Sequence, residues 1–278
     1  MNKRKYPIFY SNEQEDDTGS GRPHVRTDVY GKVPIERRGA YAVFSNILYY
    51  TVIVPLIWTW SYIGGLRVKG KEKLKPFKRN KESYFIFANH AGVKDVTICY
   101  LLALPTRLNT IGYSDALDGV VTKRLVPALG FIPLPEDVHK AKDFFDAIKF
   151  YIIDKKQPVC IYPEAHIWAQ YTGVRDFKRA SFRYPANLNK PVIPVFFARR
   201  VRKGLWKLLK QPRITVLIGD PIYPDPQASE KENAEMLGDK CYESLVALSK
   251  SIPQENYRKY VYRPNSAKEG ESKDKVAK

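Results

Sequence analysis

Cysteine and histidine are scarce in this chain of 278 residues. The three cysteines, Cys99, Cys160 and Cys241, stand far apart, with no Cys-x-x-Cys pair. That speaks against a disulfide framework and a cysteine zinc site, and fits a reducing compartment. A multi-histidine metal centre would need nearly all four histidines, His24, His90, His139 and His166, so no metal is expected. No Gly-x-Ser-x-Gly elbow is present, which leaves no signature of a protein serine nucleophile. Internal repeats are absent. Acidic residues are outnumbered, 29 Asp+Glu against 47 Lys+Arg, for a net charge of +18. Such an excess favours an anionic partner: nucleic acid, anionic lipid or a phosphorylated substrate. No RNP or zinc-finger motif is found, so nucleic acid is not expected. Hydrophobic residues at 44% and charged residues at 27% are ordinary globular usage, and the length allows one or two domains with a buried core.

One stretch has no charge at all. Residues 39–66 form an uncharged run of 28, rich in Tyr and Trp. About 20 apolar residues cross a bilayer as a helix, and amphipathic rings favour its interfaces. The run is read as a membrane anchor, either spanning or re-entrant, with a buried core helix as the other reading. Pro55 and the Gly64-Gly65 pair are expected to kink or end it. It starts too far from the N-terminus, behind a mixed-charge leader, to read as a signal peptide. Cations flank both ends (Arg37, Arg38; Arg67, Lys69, Lys71), so charge does not fix its orientation.

The remainder divides around this run. Residues 1–38 read as a polar, poorly ordered leader, 67–263 as the catalytic domain, and 264–278 as a disordered charged tail. Within 67–263, short β-branched and aromatic runs at 83–88, 108–113, 159–162, 192–197 and 214–218 read as strands. Helical spacing recurs at 95–104, 140–153 and 230–248. The expected fold is α/β, a mixed β-sheet flanked by helices, with an N-terminal hydrophobic, membrane-anchoring helical segment.

The most informative residues follow the first of these strands. The apolar run ends in Asn89-His90, and Asp95 opens the next helical pattern. The pair therefore sits at a strand-to-helix junction, where α/β folds place ligands. In one regular helix, positions five apart lie about 140° apart, so the two could meet only with His90 in the turn and Asp95 in the first helical turn. Gly92 eases that bend. A neutral imidazole can take a proton from an alcohol, and a carboxylate can fix its tautomer and stabilise the cation that forms.

His90-Ala91-Gly92-Val93-Lys94-Asp95 resembles the NHxxxxD motif of the glycerolipid acyltransferases, a superfamily that includes lysophosphatidic acid and glycerol-3-phosphate acyltransferases. Gly130-Phe131-Ile132-Pro133, Tyr162-Pro163-Glu164 and Lys190-Pro191-Val192-Ile193-Pro194-Val195 resemble the family's later blocks, in order, and Gly219-Asp220-Pro221-Ile222 its terminal strand end. The resemblance spans about residues 66–222. It implies that His90 is the general base and Asp95 its orienter. It places Asn89, Gly130 and Glu164 at the acceptor site. No cofactor is implied; acyl-CoA or acyl carrier protein would be the co-substrate. A lyso-lipid acceptor, an anionic membrane surface and a catalytic domain on the cytoplasmic side complete the implied setting.

The chain departs from the family's Glu-Gly-Thr-Arg block, reading Glu164-Ala165-His166-Ile167. The missing arginine is the usual acceptor-phosphate ligand, and a guanidinium fork is hard to replace. Two readings stay open. Arg175, Lys178 or Arg179 takes its place, or the acceptor carries no phosphate. His166 could bind a polar headgroup. Further on, Arg199, Arg200, Arg202, Lys203, Lys207, Lys210 and Arg213 surround Trp206 and several leucines and read as a surface for anionic lipid.

Overall fold

The computed structural model describes residues 7–12, 29–30, 32–117, 121–202, 204, 207, 211–256 and 258–263. The strands are β1 (Pro7–Tyr10), β2 (Arg67–Lys69), β3 (Phe85–Ala88), β4 (Asn109–Gly112), β5 (Phe131–Pro133), β6 (Val159–Ile161), β7 (Val192–Arg200), β8 (Arg213–Ile218) and β9 (Lys259–Tyr262). The α-helices are α1 (Gly39–Leu48), α2 (Val54–Ile63), α3 (Lys75–Asn80), α4 (Val93–Ala103), α5 (Thr122–Ala128), α6 (Ala141–Lys149), α7 (Arg183–Asn187) and α8 (Glu230–Lys250). Seven strands form one sheet in the order β2-β8-β7-β3-β6-β4-β5, and β1 pairs β9 separately. All pairings are parallel except β7 with β8, so the sheet is mixed, as expected.

β3 lies between β6 and β7, and all four of its residues are buried. A strand covered on both faces reads as a continuous apolar run. Its residues alternate between two cores. Phe85 and Phe87 join Phe144, Ile148, Leu237 and Leu245 on one face. Ile86 and Ala88 join Ile98, Cys99, Val195 and Phe197 on the other. The site is thus carried at the end of the best-supported strand.

Residues 39–63 form one continuous helical run of 25 residues, long and apolar enough to cross a membrane. A π-helical turn, Tyr49–Ile53, joins α1 to α2. Pro55 falls in the first turn of α2, and the helix continues through it rather than ending there. A widened turn of this kind gives a proline ring room that a regular α-turn denies. Gly65, with φ +72, follows the end of the run.

The polarity of this run is inverted relative to a soluble core helix. Its buried residues are Ser45, Tyr49 and Ser61. Its exposed side carries Phe44, Ile47, Leu56, Trp58, Trp60 and Ile63. Tyr49, Val54 and Ile57 pack against the apolar cluster of the domain, and polar contacts accompany them. Arg107 donates to Ser45 Oγ at 2.9 Å, Asn46 Oδ1 at 2.7 Å and the Ala128 carbonyl at 2.6 Å, with its guanidinium 4.3 Å from the Tyr49 ring centroid. A contiguous apolar face of this kind marks an interaction surface.

The leader departs from expectation where it is described. Val29, Tyr30, Val33 and Ile35 enter the core, and Arg37 is buried, donating to Asn109 Oδ1 at 2.6 Å and Gln157 Oε1 at 3.1 Å. Arg37 is therefore not a flanking surface cation. The proposed tail, 264–278, lies outside the described residues.

Candidate active site

β3 delivers its chain to a turn whose three successive residues are each held. Asn89 Oδ1 accepts the Phe197 N–H of β7 at 2.7 Å. The His90 N–H donates to Glu164 Oε2 at 3.3 Å. The Ala91 N–H donates to Asp95 Oδ2 at 2.9 Å. Asp95 sits in the first turn of α4, as the spacing requires. The His90 ring lies on Tyr162, centroids 4.2 Å apart and planes 26° from parallel. The Tyr162 hydroxyl donates to Cys99 Sγ at 3.5 Å, fixing the ring. Burial pushes the Tyr162 hydroxyl well above its ordinary value, so it stays a neutral donor.

Both clamping carboxylates are backed by a buried arginine. Arg199 Nη2 reaches Asp95 Oδ1 at 2.6 Å and Oδ2 at 2.8 Å. Arg175 donates to Glu164 through its backbone N–H at 3.1 Å and through Nη2 at 3.2 Å. The side chains of both pairs are at most 3% exposed. Burial raises the Asp95 and Glu164 carboxyls above their ordinary values, and the facing guanidinium opposes it in each case. Two buried ion pairs, one from each side, therefore brace the main chain at His90. Removing one partner of such a pair costs more than the pair itself contributes.

Several expected residues serve other roles. Arg175 is turned inward, onto Glu164, the His166 carbonyl and the Trp168 ring 4.9 Å away, so it is not an open phosphate ligand. Arg179 is not brought to the site. It pairs with Asp176 at 2.9 Å and with Asp239 of α8 at 3.0 Å. Lys178 is exposed. His166 stacks on Tyr113 at 5.7 Å. Ala165 adopts φ +63, a left-handed conformation, at the position where the resembled block has glycine.

Gly130 has a backbone reason to be glycine. At φ +104, an added Cβ would lie 2.6 Å from the Leu108 carbonyl oxygen. Gly130→Ala is therefore expected to cost roughly 1–3 kcal/mol, read as a lower denaturation midpoint. An unchanged midpoint would show that this turn relaxes freely.

The basic stretch also resolves into specific tasks. Arg199 was expected at a lipid-facing surface and is instead buried on Asp95. Arg202 donates to the Gly64 carbonyl at 2.7 Å, and Arg213 to that of Gly65 at 2.7 Å. Both cations cap the C-terminal end of the 39–63 helix, where they complement its dipole. Lys203, Trp206 and Lys210 lie outside the described residues.

Residues 65–198 match the acyltransferase family model. Among solved structures, the chain is similar to the 1-acyl-sn-glycerophosphate (LPA) acyltransferase PlsC of Thermotoga maritima. The TM-score is 0.51 at 16% identity, covering 81% of this chain and 93% of that one. No curated protein matches the chain significantly.

Proposed function

We propose that this chain, whose residues 65–198 match the acyltransferase family model, moves a fatty acyl group from an acyl thioester to the hydroxyl of a lyso-lipid acceptor at a membrane surface. The observation that carries this reading is the braced His90 turn, with Asp95 in the first turn of α4.

His90 takes the proton of the acceptor hydroxyl as its oxygen attacks the thioester carbonyl. The tetrahedral intermediate collapses, the C–S bond breaks, and the imidazolium returns its proton to the leaving thiolate. The products are the ester and a free thiol, with no covalent enzyme intermediate. Asp95 stabilises the imidazolium electrostatically and holds the adjoining main chain through the Ala91 N–H. In this reading the exposed apolar side of helix 39–63 faces lipid while Ser45 and Asn46 bind the domain, which brings a membrane-dissolved acceptor to the site. The catalytic domain is assigned to the cytoplasmic side, where acyl-CoA or acyl carrier protein is found.

The test is thiol release by the detergent-solubilised protein with palmitoyl-CoA and a panel of lyso-lipids. Acceptor-dependent release is expected. Release without any acceptor would indicate a thioesterase. No release with either a CoA or a carrier-protein donor would leave a lipid-binding protein.

A further inference from the structure

α2, α4 and β8 enclose a cavity of about 360 Å³, within the size range of ligand pockets. Its walls are mainly apolar, including Leu56, Ile57, Ile98 and Ile214, with Trp60 at the lipid-facing helix. Two cations also line it, Lys94 and Arg202. Lys94 directly precedes Asp95, and its ammonium is 5.0 Å from the Trp60 ring centroid. Among the described residues, no carboxylate pairs with it. Partial burial lowers its pKa, and the charges of Arg202 and Arg199 add to the effect. Arg202 spends Nε and Nη2 on the Gln211 and Gly64 carbonyls, and Nη1 makes no hydrogen bond among the described residues. The nearest carboxylate along the chain, Asp95, is already taken by Arg199.

An apolar cavity with surplus positive charge, opening beside a lipid-facing helix, is complementary to a single-chain lipid with an anionic head. We propose that it binds the acceptor lipid, with Lys94 and Arg202 on its phosphate and its chain against Leu56, Ile57, Ile98 and Ile214. This deepens the acyltransferase reading and rests on it for the identity of the acceptor. It also supplies the phosphate ligands that Arg175 and Arg179 do not.

The test compares lysophosphatidic acid with monoacylglycerol of the same chain, both brominated on the chain, by quenching of tryptophan fluorescence. Trp60→Phe identifies the signal from the cavity. The native protein is expected to bind the phosphate-bearing lipid about tenfold more tightly, the size of one charge-assisted contact. Lys94→Gln should remove that preference and Lys94→Arg retain it. The ratio of kcat/KM for the two acceptors should change in parallel. Glycerol 3-phosphate, which has the head without the chain, should not displace the lipid at equal concentration. Equal binding of the two lipids, a preference that survives Lys94→Gln, or a change confined to the acyl-CoA KM would overturn the proposal while leaving the acyltransferase reading intact. A lipid preference without turnover would do the reverse.

Discussion

His90→Ala is expected to lower thiol release by about a thousandfold, within the roughly 10²–10⁴ that general acid–base catalysis supplies. The denaturation midpoint should stay close to that of the native protein, and so should partition into vesicles. The reason lies in how the turn is held. Asn89 is fixed by its own side chain on Phe197, His90 by its backbone N–H on Glu164, and Ala91 by its N–H on Asp95. None of these bonds uses the imidazole. Truncation therefore removes the base and its stacking on Tyr162 but keeps the clamps. Turnover near the native rate in His90→Ala would end the general-base assignment.

Arg199→Met is expected to destabilise the protein by about 3–5 kcal/mol, the cost of leaving a buried carboxylate without its counter-charge. The loss should depend on pH with a definite sign. Burial already raises the Asp95 carboxyl in the folded state, and deleting Arg199 removes the main opposing charge. A folded-state pKa above the unfolded value means stability is retained at low pH, where Asp95 is protonated in both states. It is lost as pH rises through the folded-state pKa. The variant's midpoint should therefore fall more steeply than that of the native protein between two pH values, one below and one well above the ordinary Asp range of about 4. Pairing the change with Asp95→Leu removes both charges and should recover most of the stability but not the activity, because the Ala91 clamp is then gone. Guanidinium denaturation at the two pH values checks both statements. A pH-independent loss would mean that Arg199 acts only by packing.

The alternation of apolar runs made the central strands legible, and the His90–Asp95 spacing pointed to a strand-to-helix turn. The two arginines behind it were harder to place. Arg199 sits among other cations in sequence and reads as part of a charged surface. A usable signal was present nonetheless. Val195 and Phe197 alternate onto the α4 face of β7, and the same period carries Arg199 inward toward Asp95. Arg175 follows a loop with no period, so nothing local shows that it folds onto Glu164. The leader was misread for a similar reason. Val29, Tyr30 and Val33 share a helical spacing, but so few apolar positions in a polar stretch are too short a signal, and only the sheet they pack on makes them core. The cysteines show the same limit, since Cys99 and Cys160 are 61 positions apart yet their sulfurs come within 3.6 Å.

Ser45, Asn46, Gly64 and Gly65 bear on how this protein can be divided. Each supplies an acceptor to an arginine of the catalytic domain: Arg107, Arg202 or Arg213. A chain cut after residue 66 would lose these acceptors, leaving Arg107 the Ala128 carbonyl and Arg202 that of Gln211. A uniformly apolar helix in its place would still offer Arg202 and Arg213 its terminal carbonyls but would lack the Ser45 and Asn46 acceptors of Arg107. Two sets of residues thus divide the helix: Ser45 and Asn46 hold it to the domain, and Phe44, Ile47, Leu56, Trp58, Trp60 and Ile63 keep its other side apolar.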